Sequence, residues 1–415
     1  MELQEYNIVD ALDALIDYRG RTPKKSEKGI PTLSAKSVKM GYIDYNQCYY
    51  ISKEEYDSFM VRGFPQKGDI LFTTEAPLGV VAKLDRDDVA VAQRLLTLRG
   101  KKGVLDNDFL LYYLQSSEGQ QRIMAKQSGS TVMGIRQEEF RKINILIPSY
   151  EEQKKIASVL SALDDKIALN KKMNQKLEAM AKRLYDYWFV QYDFPDKNGH
   201  PYKTTGGPMT YNETLKREIP AGWEVSFVSD VIKPIDRGIS YTSEEIKDSS
   251  GIPMINLACF DKKGNYRTGE YDESNKVYPL DILIACTDLT QKADIIGTPI
   301  FLSAEAPFYV FSTDLAKITP KNEFHKYFLY YYLKNPTFHR YIKPFASGTT
   351  VKHLNVKGVE NYPIFIPDEK VVKQFTETVR PMVIAINERI NEINRLTALR
   401  NKLLPLLMNG QVVVG

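Results

Sequence analysis

Cysteine is scarce in this chain of 415 residues: Cys48, Cys259 and Cys286 are the only three, and they stand far apart. No CxxC spacing is present, which excludes a zinc ribbon or finger. So sparse and odd a count suits buried thiols in a reducing compartment. Histidine is nearly as rare. His200, His325, His339 and His353 show no HExxH or paired-ligand pattern, so no metal site is expected. No stretch reaches the ~18 apolar residues of a membrane span. The opening MELQEYNIVDALD is acidic and lacks the apolar centre of a signal peptide. Together these absences predict a soluble, cytoplasmic protein. Excess charge of either sign is also missing, with 56 Lys and Arg against 52 Asp and Glu. A net charge of +4 steers the molecule to phosphate only weakly, so nucleic-acid binding would need local patches or a partner. Core material is plentiful: 43% of residues are hydrophobic, enough for two or three domains.

What the chain does contain is repetition. QSGSTV at 127–132 returns as ASGTTV at 346–351, an offset of 219 positions. At the same offset FLLYYLQSS (109–117) falls on FLYYYLKNP (328–336), and INILIP (143–148) on YPIFIP (362–367). Upstream the match loosens. DYRGRTP resembles IDRGISYT, GIPTLSAK resembles GIPMINLA, and GDILFTTEAP resembles LDILIACTDL, with an offset drifting between about 212 and 222. Each half therefore has a divergent front and a faithful back. GIPTLSAKSV, GDILFTTEA and VAQRLLTLRG read as β-branched strands bounded by Gly, Pro or Asp. One helix follows in each half, FLLYYLQSSEGQQRIMAKQ and KYFLYYYLKNPTFHRYIKPF, whose Tyr and Leu stripe reads as core packing rather than a base-stacking platform.

Each half ends in a long helical pattern. Ser149 and Glu152 form a capping-box pair after Pro148. Ile156, Leu160, Leu163, Ile167, Asn170, Asn174, Leu177, Ala181 and Leu184 then step 4-3-4-3, a coiled-coil seam. Asp368 can cap the second copy. There Phe375, Val379, Met382, Ile386, Arg389, Ile393, Leu396, Arg400 and Leu403 take the same steps. Pro381 inside the pattern predicts a kink or loosening, and Gly410 a stop. Asn170, Asn174 and Arg389 interrupt the seam, either as a tolerated polar layer or as a device that sets register. Two such helices in one chain are expected to pack on each other. A pseudo-twofold between equal halves makes them antiparallel. The expected fold class is α+β: two similar mixed α/β domains joined by a long antiparallel two-helix coiled coil, an internal repeat. The boundaries read 1–148 for the first domain, 149–190 for the first spacer helix, 191–215 for a Gly/Pro/Thr-rich linker, 216–367 for the second domain and 368–410 for the second helix.

This layout resembles the specificity subunits of type I restriction–modification systems. The resemblance covers nearly the whole chain. It rests on GDILFTTEAPLG (68–79), on 128–167, on LEAMAKRLYDYWF (177–189), on 347–375 and on LRNKLLPLLMNGQV (399–412). The IP–x–x–E/K–Q–helix junction reads as present in both copies. The resemblance implies two target-recognition domains, each reading one half of a split sequence in double-stranded DNA, with the helices as a ruler between them. It further implies that two methyltransferase (modification) subunits carrying S-adenosylmethionine dock along the helices. ATP- and Mg-dependent restriction endonuclease subunits can join, and the specificity subunit itself has no cofactor and catalyses nothing.

A rival reading makes the chain an autonomous DNA methyltransferase or endonuclease. It lacks parts: no acidic-Pro-Pro-aromatic loop, no phosphate-binding GxxxxGK[ST], and only PDEK (367–370) as a carboxylate–lysine group, which reads as a helix cap. A third reading is a coiled-coil scaffold without DNA contact. DNA contacts call for Lys, Arg, Ser, Thr, Asn or Gln on exposed loops. In the first half the candidates are Arg19, Arg21, Lys24, Lys25, Lys36, Ser37, Lys39, Lys126, Ser128, Ser130, Thr131 and Arg136. In the second they are Arg237, Tyr241, Asn256, Lys262, Lys263, Lys292, Ser347, Thr349, Thr350, Lys352 and His353. The SG[ST]TV phrase is nearly identical in both halves, so it cannot read different bases. It either grips backbone or is a turn that seats each domain on its helix.

Overall fold

The computed structural model describes residues 2–129, 133–242, 244–247, 251–257, 266–268, 271, 273–290, 292–303 and 305–414. The chain divides into two units, Met1–Ile167 with Arg395–Gly415, and Ala168–Asn394.

The first unit is organised by the strand Ile70–Thr73. It lies in an antiparallel sheet of order Leu12–Asp17, Leu95–Gly100, Ile70–Thr73, Val81–Lys83. All four of its residues are buried because both faces are covered. Side chains alternate along a strand, so Ile70 and Phe72 enter the core under the helices while Leu71 enters a second core. That second core lies against the sheet Tyr49–Ile51, Ile30–Leu33, Ala90–Val91, whose last two strands are parallel. Gln4–Asn7 pairs with Asn144–Ile147, tying the N-terminal end to the strand before the first long helix.

The second unit repeats this plan. Its sheet runs Asp236–Arg237, Leu315–Ile318, Ile282–Ala285, Pro299–Phe301. Ile282 and Ile284 face the helical core, and Leu283 the other. Glu224–Phe227 pairs with Pro363–Ile366 as its counterpart does. The units diverge in the second sheet, which among the described residues has three strands in the first unit and five in the second. Ile252–Ile255 and Tyr309–Phe311 there keep the parallel pairing.

The long helices are Tyr150–Tyr185 and Glu369–Met408. In the first unit the start of one meets the end of the other: Asp164 is ion-paired to Arg400 at 3.0 Å, and Ile156 and Leu160 share a core with Leu404, Leu407 and Met408. In the second unit the Asn170 amide donates to Glu392 (2.8 Å), the Asn174 amide to the Ile386 carbonyl (3.3 Å), and Tyr185 packs on Phe375. Partners fall in number along one helix as they rise along the other, so the pairing in each unit is antiparallel. Ile156, Leu160, Ile167, Ala181, Phe375 and Val379 are buried as expected. Leu163, Leu177, Leu184, Met382, Ile386, Ile393, Leu396 and Leu403 are only half-buried, and the seam of the second helix drifts onto Val383 and Leu404. A straight helix has 3.6 residues per turn, so a strict seven-residue step cannot follow one contact line. Asn170 and Asn174 carry cross-helix hydrogen bonds, which favours the register-setting reading. Arg389 instead donates to the carbonyl of Ala385 on its own helix.

Several expectations are corrected. VAQRLLTLRG is not one strand: Ala90–Val91 and Leu95–Gly100 belong to different sheets, with a turn at Gln93–Arg94 between them. The helix after it is two, Asn107–Gln115 and Ser117–Met124. Ser116 ends one and caps the other, its hydroxyl accepting from the Gly119 N–H at 3.1 Å. The second helix runs on through Pro381, which is exposed, so water can solvate the carbonyl the ring leaves unpaired. It ends at Met408, with Gly410 at φ +69°. Residues 191–215 are no loose linker. A π-turn at Asp186–Val190 sends Trp188 and Phe189 into the core; Tyr192 and Phe194 are buried beyond it, and Met209–Asn212 forms a hairpin with Arg217–Pro220. The IP–helix junction is not duplicated residue for residue. Gln153 is buried and bridges the carbonyls of Val104 and Pro148 and the Asp106 N–H, whereas the position 219 further on is Val372, also buried.

Candidate nucleic-acid interface

The second copy of the repeated phrase is a hairpin fastened to the end of the central strand, and the described residues flanking the first copy are fastened in the same way. In the first unit Ser128 exchanges backbone hydrogen bonds with Gly134 (2.8 and 3.0 Å), Gly134 bridges to Glu75, and the Ile135 N–H donates to the Thr74 carbonyl at 2.9 Å. In the second, Ala346–Ser347 pairs with Lys352–Leu354, His353 lies opposite Thr287, and the Leu354 N–H donates to the Cys286 carbonyl at 2.8 Å. The turn needs its glycine. Gly129 and Gly348 have φ of +114° and +118°, and a Cβ on Gly348 would sit 2.0 Å from the Val351 carbonyl oxygen. Gly348→Ala is therefore expected to open the hairpin and cost about 1–3 kcal/mol, read as a lowered urea midpoint. The hairpin docks on the sheet of its own unit.

An arginine lies beside it in each unit, bonded to a different loop in each. Arg19 donates from Nη2 to the Ile135 carbonyl at 2.9 Å, and Arg237 from Nη2 to the Thr313 carbonyl at 3.0 Å. Each arginine of the recurring Arg–Gly pair thus clamps a neighbouring loop while staying exposed. In the first unit the arrangement gathers Arg19, Ser128 and Arg136, all exposed, with two arginines that the sequence reading missed. Arg62 donates to the carbonyls of Asp17 and Arg19, and Arg94 is ion-paired to Glu75 at 2.6 Å. Arg94 was hidden inside an apparent strand; its signal was the two polar residues of Gln93–Arg94 between apolar runs. In the second unit the hairpin carries exposed Ser347, Thr349, Thr350 and His353 with half-buried Lys352. Exposed Lys292 lies on the longer loop after Thr287–Asp288. That loop is held by the buried Asp288 carboxylate, which accepts from the Thr290 and Ile295 N–H groups at 2.6 and 2.7 Å. Burial alone would raise the Asp288 carboxyl, but these N–H donors hold it below the usual range.

Other candidates lie apart from this group or have structural duties. Arg21 is half-buried, 5.3 Å over the Phe59 ring. Exposed Lys25 sits 5.0 Å over the Tyr49 ring of the second sheet, and the Lys24 N–H donates to Glu55. Lys36 is exposed, Lys39 and Lys126 are half-buried. Ser37 is a correction: it is wholly buried, its hydroxyl bonding the Ser34 N–H and the Gln47 carbonyl, so it staples a loop and cannot reach a ligand. Tyr241 is half-buried and accepts from the Asn275 amide at 2.9 Å; burial raises its phenol. Asn256 is half-buried. Ser130, Thr131, Lys262 and Lys263 lie outside the described residues.

The Tyr and Leu stripes are core. Phe109–Leu114 and Tyr327–Leu333 are all buried, and burial raises the phenols of Tyr112, Tyr331 and Tyr332. Glu369 pairs with Lys373 at 2.7 Å within the first turns of the second long helix, a helix-end arrangement. Among the described residues no three His, Cys, Asp or Glu converge to hold a metal, and no helix is long and apolar enough to cross a membrane.

The model of the type I restriction modification DNA specificity domain matches this chain twice, over residues 10–179 and 220–395. Among curated proteins it is similar to the type I restriction enzyme MjaIX specificity subunit of Methanocaldococcus jannaschii, with 28% identity over 369 residues, 85% of this chain and 79% of that one. The HindI specificity subunit of Haemophilus influenzae is 23% identical over 413 residues, covering 84% and 87%. Among solved structures, the type I restriction–modification S subunit from M. genitalium superposes with a TM-score of 0.64 over 98% of this chain and 96% of that one. At 18% identity, that likeness shows the shared fold. Two matches that fall one on each half of the internal repeat, and together span most of its length, show that the chain belongs to the type I restriction modification DNA specificity family.

Proposed function

We propose that each unit reads one half of a two-part target in double-stranded DNA, and that the paired helices set the gap between the halves. The observation that carries this reading is a duplicated mount bearing different side chains. The same fastening to the end of the central strand recurs, while the second sheets and the exposed loop residues differ between units. A shared mount suits a common grip on the duplex, and divergent loops suit two different words. The proposed contacts are Arg19, Ser128, Ser130, Thr131 and Arg136 in one unit, and Arg237, Lys292, Ser347, Thr349, Thr350, Lys352 and His353 in the other. In this proposal the chain is the recognition subunit. Two methyltransferase subunits dock along the helices and bring S-adenosylmethionine, and restriction subunits bring ATP and magnesium. The relatives named specificity subunits favour recognition over an autonomous enzyme.

Replacing residues 1–148 by the corresponding part of a different family member should change one half of the motif methylated in cells and leave the other half. A change in both halves would refute independent reading. Removing seven residues from the middle of each helix keeps the antiparallel register and shortens the pair by about 10 Å, near 3 base pairs. The methylated motif should lose about that many spacer positions; an unchanged spacer would refute the ruler. Binding of the purified chain to duplex should fall as salt rises. Salt-independent or absent binding, alone and with the methyltransferase subunits, would favour the scaffold reading.

A further inference from the structure

Matching strand pairings and backbone hydrogen bonds in the two mounts show where the units differ in chemistry. Leu95 pairs with Thr73, and Leu315 with Ala285, at the ends of matching strands. Just before them the Thr74 N–H donates to the Arg94 carbonyl at 3.0 Å, and the Cys286 N–H to the Asp314 carbonyl at 2.7 Å. Arg94 and Asp314 therefore occupy one position of a repeated scaffold. Facing them, Glu75 and Thr287 also correspond, since they pair with Gly134 and His353. The first unit thus presents Arg and Glu where the second presents Asp and Thr.

Arg94 is unusual in two further ways. Its backbone has φ +72°, a left-handed conformation that disfavours an L side chain, and its own side chain is 54% exposed. Strain of this kind is kept where surrounding structure imposes it, and it concentrates at sites of function. The ion pair with Glu75 is made at Nε, 2.6 Å away. An exposed pair of this type adds little stability, so stability alone gives no reason for the residue. What Glu75 does supply is a fixed post for a planar guanidinium whose Nη donors match the O6 and N7 acceptors of guanine in the major groove. An aspartate at the same place makes no such contact and accepts instead from a cytosine amino group.

We propose that Arg94 reads a guanine in the half-target of the first unit, with Glu75 as its positioning residue, and that Asp314 at the same position gives the second unit a different preference. This rests on the reading that each unit recognises DNA. The test uses Arg94→Gly, because glycine suits φ +72° and removes the side chain without loading the backbone. Methylated adenines are mapped in cells expressing the wild-type or variant chain with its methyltransferase partners. The wild type should show a two-part motif containing guanine, and Arg94→Gly should relax that one guanine while leaving the other half and the spacer intact. Asp314→Asn should alter only the other half. In binding, the purified full-length chain, alone or with its partners, should prefer the guanine duplex over one substituted there by about 10- to 100-fold. The Arg94→Gly preference should fall to about threefold or less at an unchanged salt slope. An intact motif in Arg94→Gly overturns the assignment. So does equal weakening on both duplexes with a slope reduced by about one, the mark of a phosphate contact. A wild type with no two-part motif and no preference between duplexes takes the DNA-reading proposal down as well, which separates the two failures.

Discussion

Alanine in place of Phe375 is expected to destabilise the second unit by about 3–5 kcal/mol. The side chain is fully buried, and its ring meets those of Phe189 at 5.0 Å, Trp188 at 5.8 Å, Tyr185 at 6.2 Å and Tyr331 at 6.4 Å. These partners come from the end of the first long helix and from the buried helix Lys326–Leu333, so one ring joins the helix pair to the domain. Truncation removes the burial and leaves a cavity whose rigid aromatic walls cannot collapse. Both tryptophans of the chain, Trp188 and Trp223, belong to this core, so tryptophan fluorescence during urea unfolding follows this unit. A lowered fluorescence midpoint is expected. Ile386→Ala, on the half-buried part of the seam, should shift it far less. Equal shifts would mean that the aromatic cluster is not what seats the helix.

Asp69→Ala is expected to cost about 2–4 kcal/mol, while the same change at Asp281, its counterpart in the repeat, costs about 1 kcal/mol. Both belong to the Asp–Ile–Leu or Asp–Ile phrase that opens the central strand, and both carboxylates accept a backbone N–H three residues earlier: Gln66 for one, Tyr278 for the other. Asp69 has a further partner. Arg99 grips both its oxygens at 2.8 Å, with the aspartate side chain 2% exposed and the arginine 20%. Removing the carboxylate strands a largely desolvated guanidinium, whereas Asp281 leaves behind only an N–H at a half-buried turn. Residual exposure of Arg99 lets water screen part of the loss, which sets the estimate below that of a wholly buried pair. Urea unfolding followed by far-UV circular dichroism gives both values. Adding Arg99→Met to Asp69→Ala should recover part of the loss, because no charge then stays buried alone. Costs that came out equal for Asp69→Ala and Asp281→Ala would assign no weight to the Arg99 pair.

The divergence between units explains which residues could be read in advance and which could not. The repeat offset of 219 located the paired helices, the hairpin and the buried Tyr–Leu helix. Each of these is written in one local stretch whose period or glycine speaks for itself. The seam was legible at its ends, where Ile156, Leu160, Phe375 and Val379 are buried, and less so in the middle, where the seven-residue step parts from the helical one. Misreadings fell where local text permits two outcomes. Gln93–Arg94 sits between apolar runs that could be one strand or two, and only their pairing with different sheets separates them. Residues 191–215 have the composition of a linker, yet Tyr192 and Phe194 find an aromatic core to enter.

The sequence by itself determined that this chain is duplicated and that each half ends in one long helix, because internal repetition and helical periodicity are properties of the text; its likeness to specificity subunits added the recognition role. Which basic residues share a face was decided only by the tertiary structure. Ser37 is drawn into a loop staple, Arg19 is turned onto the Ile135 carbonyl, and Arg94 is placed opposite Glu75. Such placements depend on strand pairing between segments far apart in the chain, and no local pattern encodes the partner of an exposed loop.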